Sequence, residues 1–102
     1  MYSIVTTTCK SLTDRDALIE AALGAKLAAC VQVGEVASHF LWQGKQETAE
    51  EYLLTFKTRS ALVPQLMQKI QEVHSYKVPE ILVTEVSGGL PAYLNWMDKS
   101  TR

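Results

Sequence analysis

The chain has 102 residues, of which 47% are hydrophobic and 21% are charged, and its formal net charge is −1. This composition is typical of an ordinary globular domain, so we expect residues 1–102 to form a single domain. A net charge this close to zero argues against nucleic acid as a partner. No apolar run reaches the roughly 20 residues that span a membrane, and Met1–Val5 lacks the basic region of a signal peptide.

The first half of the chain alternates between strand and helix patterns. Ser3–Cys9 is rich in β-branched residues and predicts a strand. Thr13–Asp16 fits a capping box, after which apolar residues recur at helical spacing as far as Lys26. From Ala28 to Trp42 the period changes to two, which predicts a long strand. Gly34 inside that strand indicates a bulge or a bend.

The second half predicts a hairpin, a helix and a further strand. Gln43-Gly44-Lys45 is typical of a hairpin turn, and the return strand runs past Phe56. Ser60 is the expected cap of the next helix, which places Pro64 in its first turn, where a missing N–H costs least. Ile81–Val86 predicts the last strand.

A short helix opens at Leu90-Pro91 and completes the order β-α-β-β-α-β plus a C-terminal helix. This order predicts an α+β, ferredoxin-like sandwich, in which both helices cover one face of an antiparallel sheet. The hairpin is too long for one small domain to cover, and long exposed strand edges promote aggregation. We therefore expect the chain to associate with further copies of itself.

The side chains that could bind a metal are scattered. There is no local zinc motif, so any site must be assembled by the fold. Cys30 and His74 would suit copper or another late transition ion. The alternative is that Cys9 and Cys30 are reduced thiols that pack as small hydrophobic residues, and that His39 and His74 are structural. Two cysteines do not form a disulfide scaffold, so we expect a cytoplasmic protein.

The segment His74–Glu80 holds a histidine, a phenol, a lysine and a carboxylate between a helix and a strand. Loops held by rigid elements often carry binding groups. Glu80 could pair with Lys77 or Lys57 at the surface, or it could point into a cleft between subunits. Gly-rich phosphate loops and nucleophile elbows are missing, so we do not expect an enzyme.

Taken together, several segments resemble the CutA divalent-cation-tolerance family over nearly the whole chain. They are Lys26-Leu27-Ala28-Ala29-Cys30, Phe40-Leu41-Trp42-Gln43-Gly44-Lys45, Glu50-Glu51-Tyr52, Lys57-Thr58-Arg59, His74-Ser75-Tyr76-Lys77-Val78-Pro79-Glu80-Ile81 and Tyr93-Leu94-Asn95-Trp96. The resemblance implies a ferredoxin-like homotrimer in which the hairpin continues the sheet into the next subunit. It also implies tolerance of copper and other divalent cations, but no catalysed reaction. Members of that family commonly have proline where this chain has Ser75.

Two hypotheses follow for the binding site. The first is weak binding of copper or another divalent cation by the trimer, with Cys30 and His74 as ligands and Glu80 as an oxygen donor. The second is a signalling or interaction trimer that binds a small organic ligand in its intersubunit clefts. The residues that would line such a cleft are Trp42, Glu51, Lys57, Tyr76 and Glu80.

Overall fold

The strands and helices follow the predicted order in the computed structural model, which describes residues 1–102. The elements are β1 (Tyr2–Cys9), α1 (Leu12–Gly24), β2 (Cys30–Trp42), β3 (Lys45–Arg59), a 3-10 turn (Ser60–Leu62), α2 (Val63–Val73), β4 (Leu82–Val86) and α3 (Pro91–Ser100). The strands form one antiparallel sheet in the order β2-β3-β1-β4. The prediction of an α+β fold with an antiparallel sheet is confirmed.

One face of the sheet packs against α1 and α2 and forms the core. Successive side chains of a strand point to opposite faces, and Ser3, Val5, Thr7 and Cys9 of β1 are all buried. Their neighbours in the core cluster come from both helices, from β3, from the connection between α1 and β2, and from the 3-10 turn. They are Leu18, Ala22, Leu27, Ala28, Leu54, Phe56, Leu62, Leu66 and Ile70. Both helices therefore cover the same face, as the fold class requires.

We call the opposite side of the sheet the open face. Residues paired across neighbouring strands share a face, so Cys30, Lys57 and Ile4 form one row there. Helix α3 covers only one end of this face, where the Tyr2 hydroxyl donates to Asp98 at 2.9 Å. The rest of the open face has no helix over it.

The β2–β3 hairpin projects beyond the sheet. Gln43 (φ 50°) and Gly44 (φ 78°) both have positive φ, as a two-residue type I′ turn requires, so the predicted turn is confirmed. Because β1 ends opposite Tyr52, residues 36–51 pair only with each other. We call them the projecting ribbon. Of the bulge or bend predicted at Gly34, the bulge is wrong, because the register runs unbroken and pairs Gly34 directly with Leu53.

Both predicted helix caps require correction. Ser11, not Thr13, is the N-cap of α1, and its Oγ accepts the Asp14 N–H at 3.1 Å. Ser60 opens the 3-10 turn instead of capping α2, and its hydroxyl bonds that of Ser3 at 2.8 Å. Pro64 does lie in the first turn of α2, as expected. No helix is long and apolar enough to cross a membrane.

Candidate functional site

The His74–Glu80 loop passes from the helix-covered face of the sheet to the open face. At its start, buried His74 places Nε2 2.8 Å from the Thr8 carbonyl oxygen and 3.1 Å from Thr7 Oγ1. At its end, Glu80 Oε2 lies 3.5 Å from Thr6 Oγ1. Thr6 and Thr7 are consecutive, so they lie on opposite faces of β1. The loop thus presents residues to both faces.

Both ring nitrogens of His74 are used inside the fold. Nδ1 accepts the backbone N–H of Tyr76 at 3.1 Å, so the hydrogen-bond network assigns the ring proton to Nε2. That nitrogen donates to the Thr8 carbonyl. A metal ion on His74 would have to replace one of these hydrogen bonds. His74 anchors the loop to β1 in this arrangement.

Tyr76 ties the loop to β3 across the open face. Its hydroxyl donates to Glu51 Oε2 at 2.6 Å. Burial, followed by this bond to a carboxylate, raises the pKa of Tyr76 well above its ordinary value. The phenol therefore stays neutral and continues to donate at physiological pH. This bond holds the Glu51 carboxylate in a fixed position. At Glu51, β3 pairs only with β2, because β1 ends opposite Tyr52.

A cleft of about 1010 Å³ lies between this loop and the projecting ribbon. The ribbon contributes Phe40 and Trp42, with Glu47 directly opposite Phe40 in the register. The loop contributes Lys77 and Val78. Four of the five residues predicted to line an intersubunit cleft are in its wall, namely Trp42, Glu51, Tyr76 and Glu80.

Lys57, the fifth predicted residue, lies outside the cleft. It is six positions from Glu51 along β3, a separation of about 20 Å in an extended strand. Its Nζ lies 5.8 Å from the centre of the Tyr93 ring, where α3 meets the open face. The sequence reasoning missed Phe40 and Lys77. Phe40 shares strand parity with Trp42, so the alternation of β2 contained the signal for it.

The three predicted metal ligands do not converge within one chain. Cys30 begins β2 on the open face, two strands away from β1, where Glu80 approaches Thr6. His74 is on the other side of the sheet. No group of three or more His, Cys, Asp or Glu side chains is placed to hold a metal ion. The donor set of a single chain therefore does not fit a metal centre.

The two thiols have different surroundings. Cys9 is fully buried on the helix-covered face, and burial raises the pKa of its thiol. Cys30 is half-buried on the open face and is also free. Cys30 is therefore more accessible to a metal ion than the fully buried Cys9.

Comparison with known proteins identifies the family. The model of the family "CutA1 divalent ion tolerance protein" matches residues 3–100. The Divalent-cation tolerance protein CutA of Archaeoglobus fulgidus is 33% identical over 100 residues, which cover 98% of each chain. The solved structure of the periplasmic divalent cation tolerance protein CutA from that organism covers 98% of both chains with a TM-score of 0.95. The solved divalent cation tolerance protein of Thermus thermophilus covers 100% of both chains at 31% identity, also with a TM-score of 0.95.

An animal relative is longer than this chain. Protein CutA of Mus musculus is 36% identical over 95 residues, which cover 92% of this chain and 54% of the mouse protein. The chain thus spans about half the length of that relative. The archaeal and bacterial relatives match it from end to end in both sequence and fold. The chain belongs to the CutA1 divalent ion tolerance protein family.

Proposed function

We propose that this chain forms a cytoplasmic homotrimer that takes part in the response to divalent metal ions and catalyses no reaction. Membership of the family supports the link to divalent cations. The projecting ribbon is the observation that carries the association of subunits. That the assembly contains three subunits is what the resemblance to the CutA family implies.

The ribbon needs a partner for physical reasons. It consists of two strands only, and an isolated two-stranded hairpin is marginally stable in water. Its end carries Phe40, Leu41 and Trp42, which are 43%, 75% and 54% exposed. Strands β2 and β4 also leave both edges of the sheet unpaired. Contact with further copies would cover these apolar side chains and complete the backbone hydrogen bonds.

Metal binding by the trimer would have to use donors from more than one subunit, because those of one chain do not converge. Cys30 and Glu80 are on the open face, which a further copy can reach. His74 is buried on the other side and already uses both nitrogens. We therefore propose Cys30 as the principal soft donor for copper, with Glu80 as an oxygen donor, and we assign His74 to the support of the loop.

Native mass spectrometry of the reduced protein, with and without copper, tests this proposal. We expect a trimer that gains a fixed number of copper ions. Cys30→Ala should abolish this uptake, whereas Cys9→Ala, the matched control on the buried face, should retain it. Equal uptake by both variants would remove Cys30 from the site, and a monomer at micromolar concentration would overturn the proposed assembly.

A second candidate is a signalling or interaction trimer that binds a small organic ligand, and the cleft favours it. A concave site with a few convergent polar groups is the usual form of a small-molecule site. Tyr76, Glu51 and Glu80 converge there within one chain. A bound ligand at about 100 times its dissociation constant would add roughly 2.7 kcal/mol of stability, so a thermal-shift screen of nucleotides, amino acids and carboxylates would detect it. If none of them changes the melting temperature, these three classes are excluded as ligands.

A further inference from the structure

We propose that His74 is a pH-sensitive switch, in which protonation of its ring releases Tyr76 and, with it, the carboxylate of Glu51. Such a switch goes beyond the proposed function, because it depends on neither copper nor the number of subunits. Three features support it: the opposite roles of the two ring nitrogens, the burial of the ring, and the side-chain contact that leads from the loop to β3.

The two ring nitrogens of His74 have opposite roles. Nε2 carries the proton and donates to the Thr8 carbonyl at 2.8 Å, whereas Nδ1 accepts the backbone N–H of Tyr76 at 3.1 Å. Only the neutral ring can fill both roles, because both nitrogens of a protonated ring are donors. A proton from solvent would bind the lone pair of Nδ1, which is the atom that accepts from Tyr76. Protonation therefore breaks this bond and keeps the bond to Thr8.

The buried position of the ring decides which partner moves. His74 is buried, and Thr7 Oγ1 lies 3.1 Å from Nε2 on the side of β1. The ring cannot turn away from Tyr76 without losing its bond to the Thr8 carbonyl. Two N–H groups that face each other leave both donors unpaired, which costs free energy. Because a loop moves more easily than a strand inside the sheet, Tyr76 is the group that we expect to move.

Movement of Tyr76 reaches β3 through one side chain. The Tyr76 hydroxyl donates to Glu51 Oε2 at 2.6 Å, so the position of the loop backbone decides whether this bond forms. The preceding residue is held independently, because the Ser75 hydroxyl donates to Asp14 Oδ2 on α1 at 2.8 Å. The release therefore begins at Tyr76. All of these bonds lie within one chain and need no second subunit.

The charges around His74 are compatible with a protonated ring. His74 is the C-cap of α2, and the C-terminal end of a helix favours positive charge. The carboxylates that bond to the loop belong to Asp14 and Glu51, whereas Arg15 is paired with a neighbouring carboxylate on α1. Burial raises the pKa of the Cys9 thiol on β1, so this group stays neutral. The other ionisable groups on these elements are Tyr52, Glu72, Tyr76 and Lys77.

Nuclear magnetic resonance of the isotope-labelled protein between about pH 8 and pH 4.5 tests the switch, since the charge of histidine ordinarily changes between pH 5 and 8. The chain has two histidines, so the ring signals of His74 and of the exposed His39 can be followed separately. We expect the Tyr76 amide and ring signals to change with the midpoint of His74 and not with that of His39. Protection of the Tyr76 amide against hydrogen exchange should fall about tenfold across this step, which is roughly the effect of losing one hydrogen bond.

Two variants separate His74 from the other titrating groups. His74→Asn retains an acceptor for the amide two residues later, because asparagine forms this bond in an Asx-turn and does not titrate. This variant should hold Tyr76 at every pH and abolish the step. Asp14→Asn removes the titratable partner of Ser75 and leaves His74 intact, so it should retain the step.

A step that persists in His74→Asn, or that disappears in Asp14→Asn, would overturn the switch. So would a His74 ring that takes up a proton while the Tyr76 signals stay constant, or one that stays neutral until the chain unfolds. If His74→Asn does not fold, the comparison of midpoints in the wild-type protein decides alone. Sedimentation of the same samples separates this test from the proposed assembly. A monomer that shows the step contradicts the trimer only, whereas a trimer that lacks it contradicts the switch only.

Discussion

The two faces of the sheet differ in how completely the chain buries their apolar side chains. On the helix-covered face, Val5, Leu54 and Phe56 are fully buried. On the open face, Trp42 remains more than half exposed. Hydrophobic burial stabilises a fold, whereas exposed apolar groups beside unpaired charges mark surfaces that bind. One face of this sheet therefore accounts for folding, and the other is available for partners and ligands.

The His74–Glu80 loop repeats this contrast over a few residues. His74 is buried, with both nitrogens bonded to the fold. Tyr76, two residues later, reaches a carboxylate in the cleft wall. The rings of the two residues are in contact, with centroids 5.0 Å apart. The buried end of the loop thereby positions the end that faces the cleft.

The same substitution on the two faces should have very different effects on stability. Phe56→Ala opens a cavity in the core and should lower the free energy of unfolding by about 3–5 kcal/mol. Phe40→Ala removes a half-exposed ring and should instead weaken association between subunits. Chemical denaturation at several protein concentrations separates the two effects. A comparable, concentration-independent loss in both variants would contradict the distinction between the faces.

Loss of the loop anchor should have the next largest effect. His74→Ala leaves the Thr8 carbonyl without its donor and should cost about 1–3 kcal/mol of unfolding free energy. Hydrogen exchange of the Tyr76 amide should accelerate as well, because its acceptor is lost. His39→Ala, at an exposed site on the ribbon, is the matched control and should change stability by less than about 0.5 kcal/mol. Unchanged exchange at Tyr76 would argue against the anchoring role.

The corrected cap of α1 makes a smaller, sharper prediction. Ser11→Ala should cost about 1 kcal/mol, because the Asp14 N–H loses its acceptor. Thr13→Ala, inside the first turn, should change stability by less than about 0.5 kcal/mol. Thermal unfolding of the two variants at equal concentration distinguishes them. If Thr13→Ala proved the more damaging, the N-cap would be misassigned.

The Tyr76–Glu51 bond should add stability that depends on pH. Tyr76→Phe should cost about 1 kcal/mol near pH 7. The folded pKa of Tyr76 is raised, so the folded state holds this proton more tightly than the unfolded state. The contribution is therefore complete below the unfolded pKa of about 10 and declines as pH rises above it. Unfolding free energies of both proteins from pH 7 to 11 should converge at high pH. A constant difference would contradict the raised pKa.

Local patterns in the sequence predicted most of the fold. The period of two across β2, the positive-φ turn at Gln43-Gly44 and the position of Pro64 are all set by neighbouring residues. The predictions that were wrong concern positions where the local sequence fits two structures equally well. Ser11 and Thr13 both carry hydroxyls suited to an N-cap, and Gly34 is compatible with either a bulge or a regular strand.

The candidate site was less predictable, because its geometry depends on distant pairs. His74 Nε2 donates to the carbonyl of Thr8, which is 66 positions away in the chain. The same nitrogen lies close to the hydroxyl of Thr7, which is 67 positions away. No local pattern reveals that both its nitrogens are used. Lys57 was assigned to the cleft from its place in a motif, whereas the strand carries it to the opposite end of the open face. Position along a strand would have been the better guide.

Sedimentation velocity of the wild-type protein at micromolar concentration tests the central claim most directly. That claim is that further copies of the chain cover the projecting ribbon and the edges of the sheet. The account predicts a single species with three times the 11.3 kDa mass of one chain. A single species at 11.3 kDa would contradict it, since Phe40, Leu41 and Trp42 would then be exposed in solution.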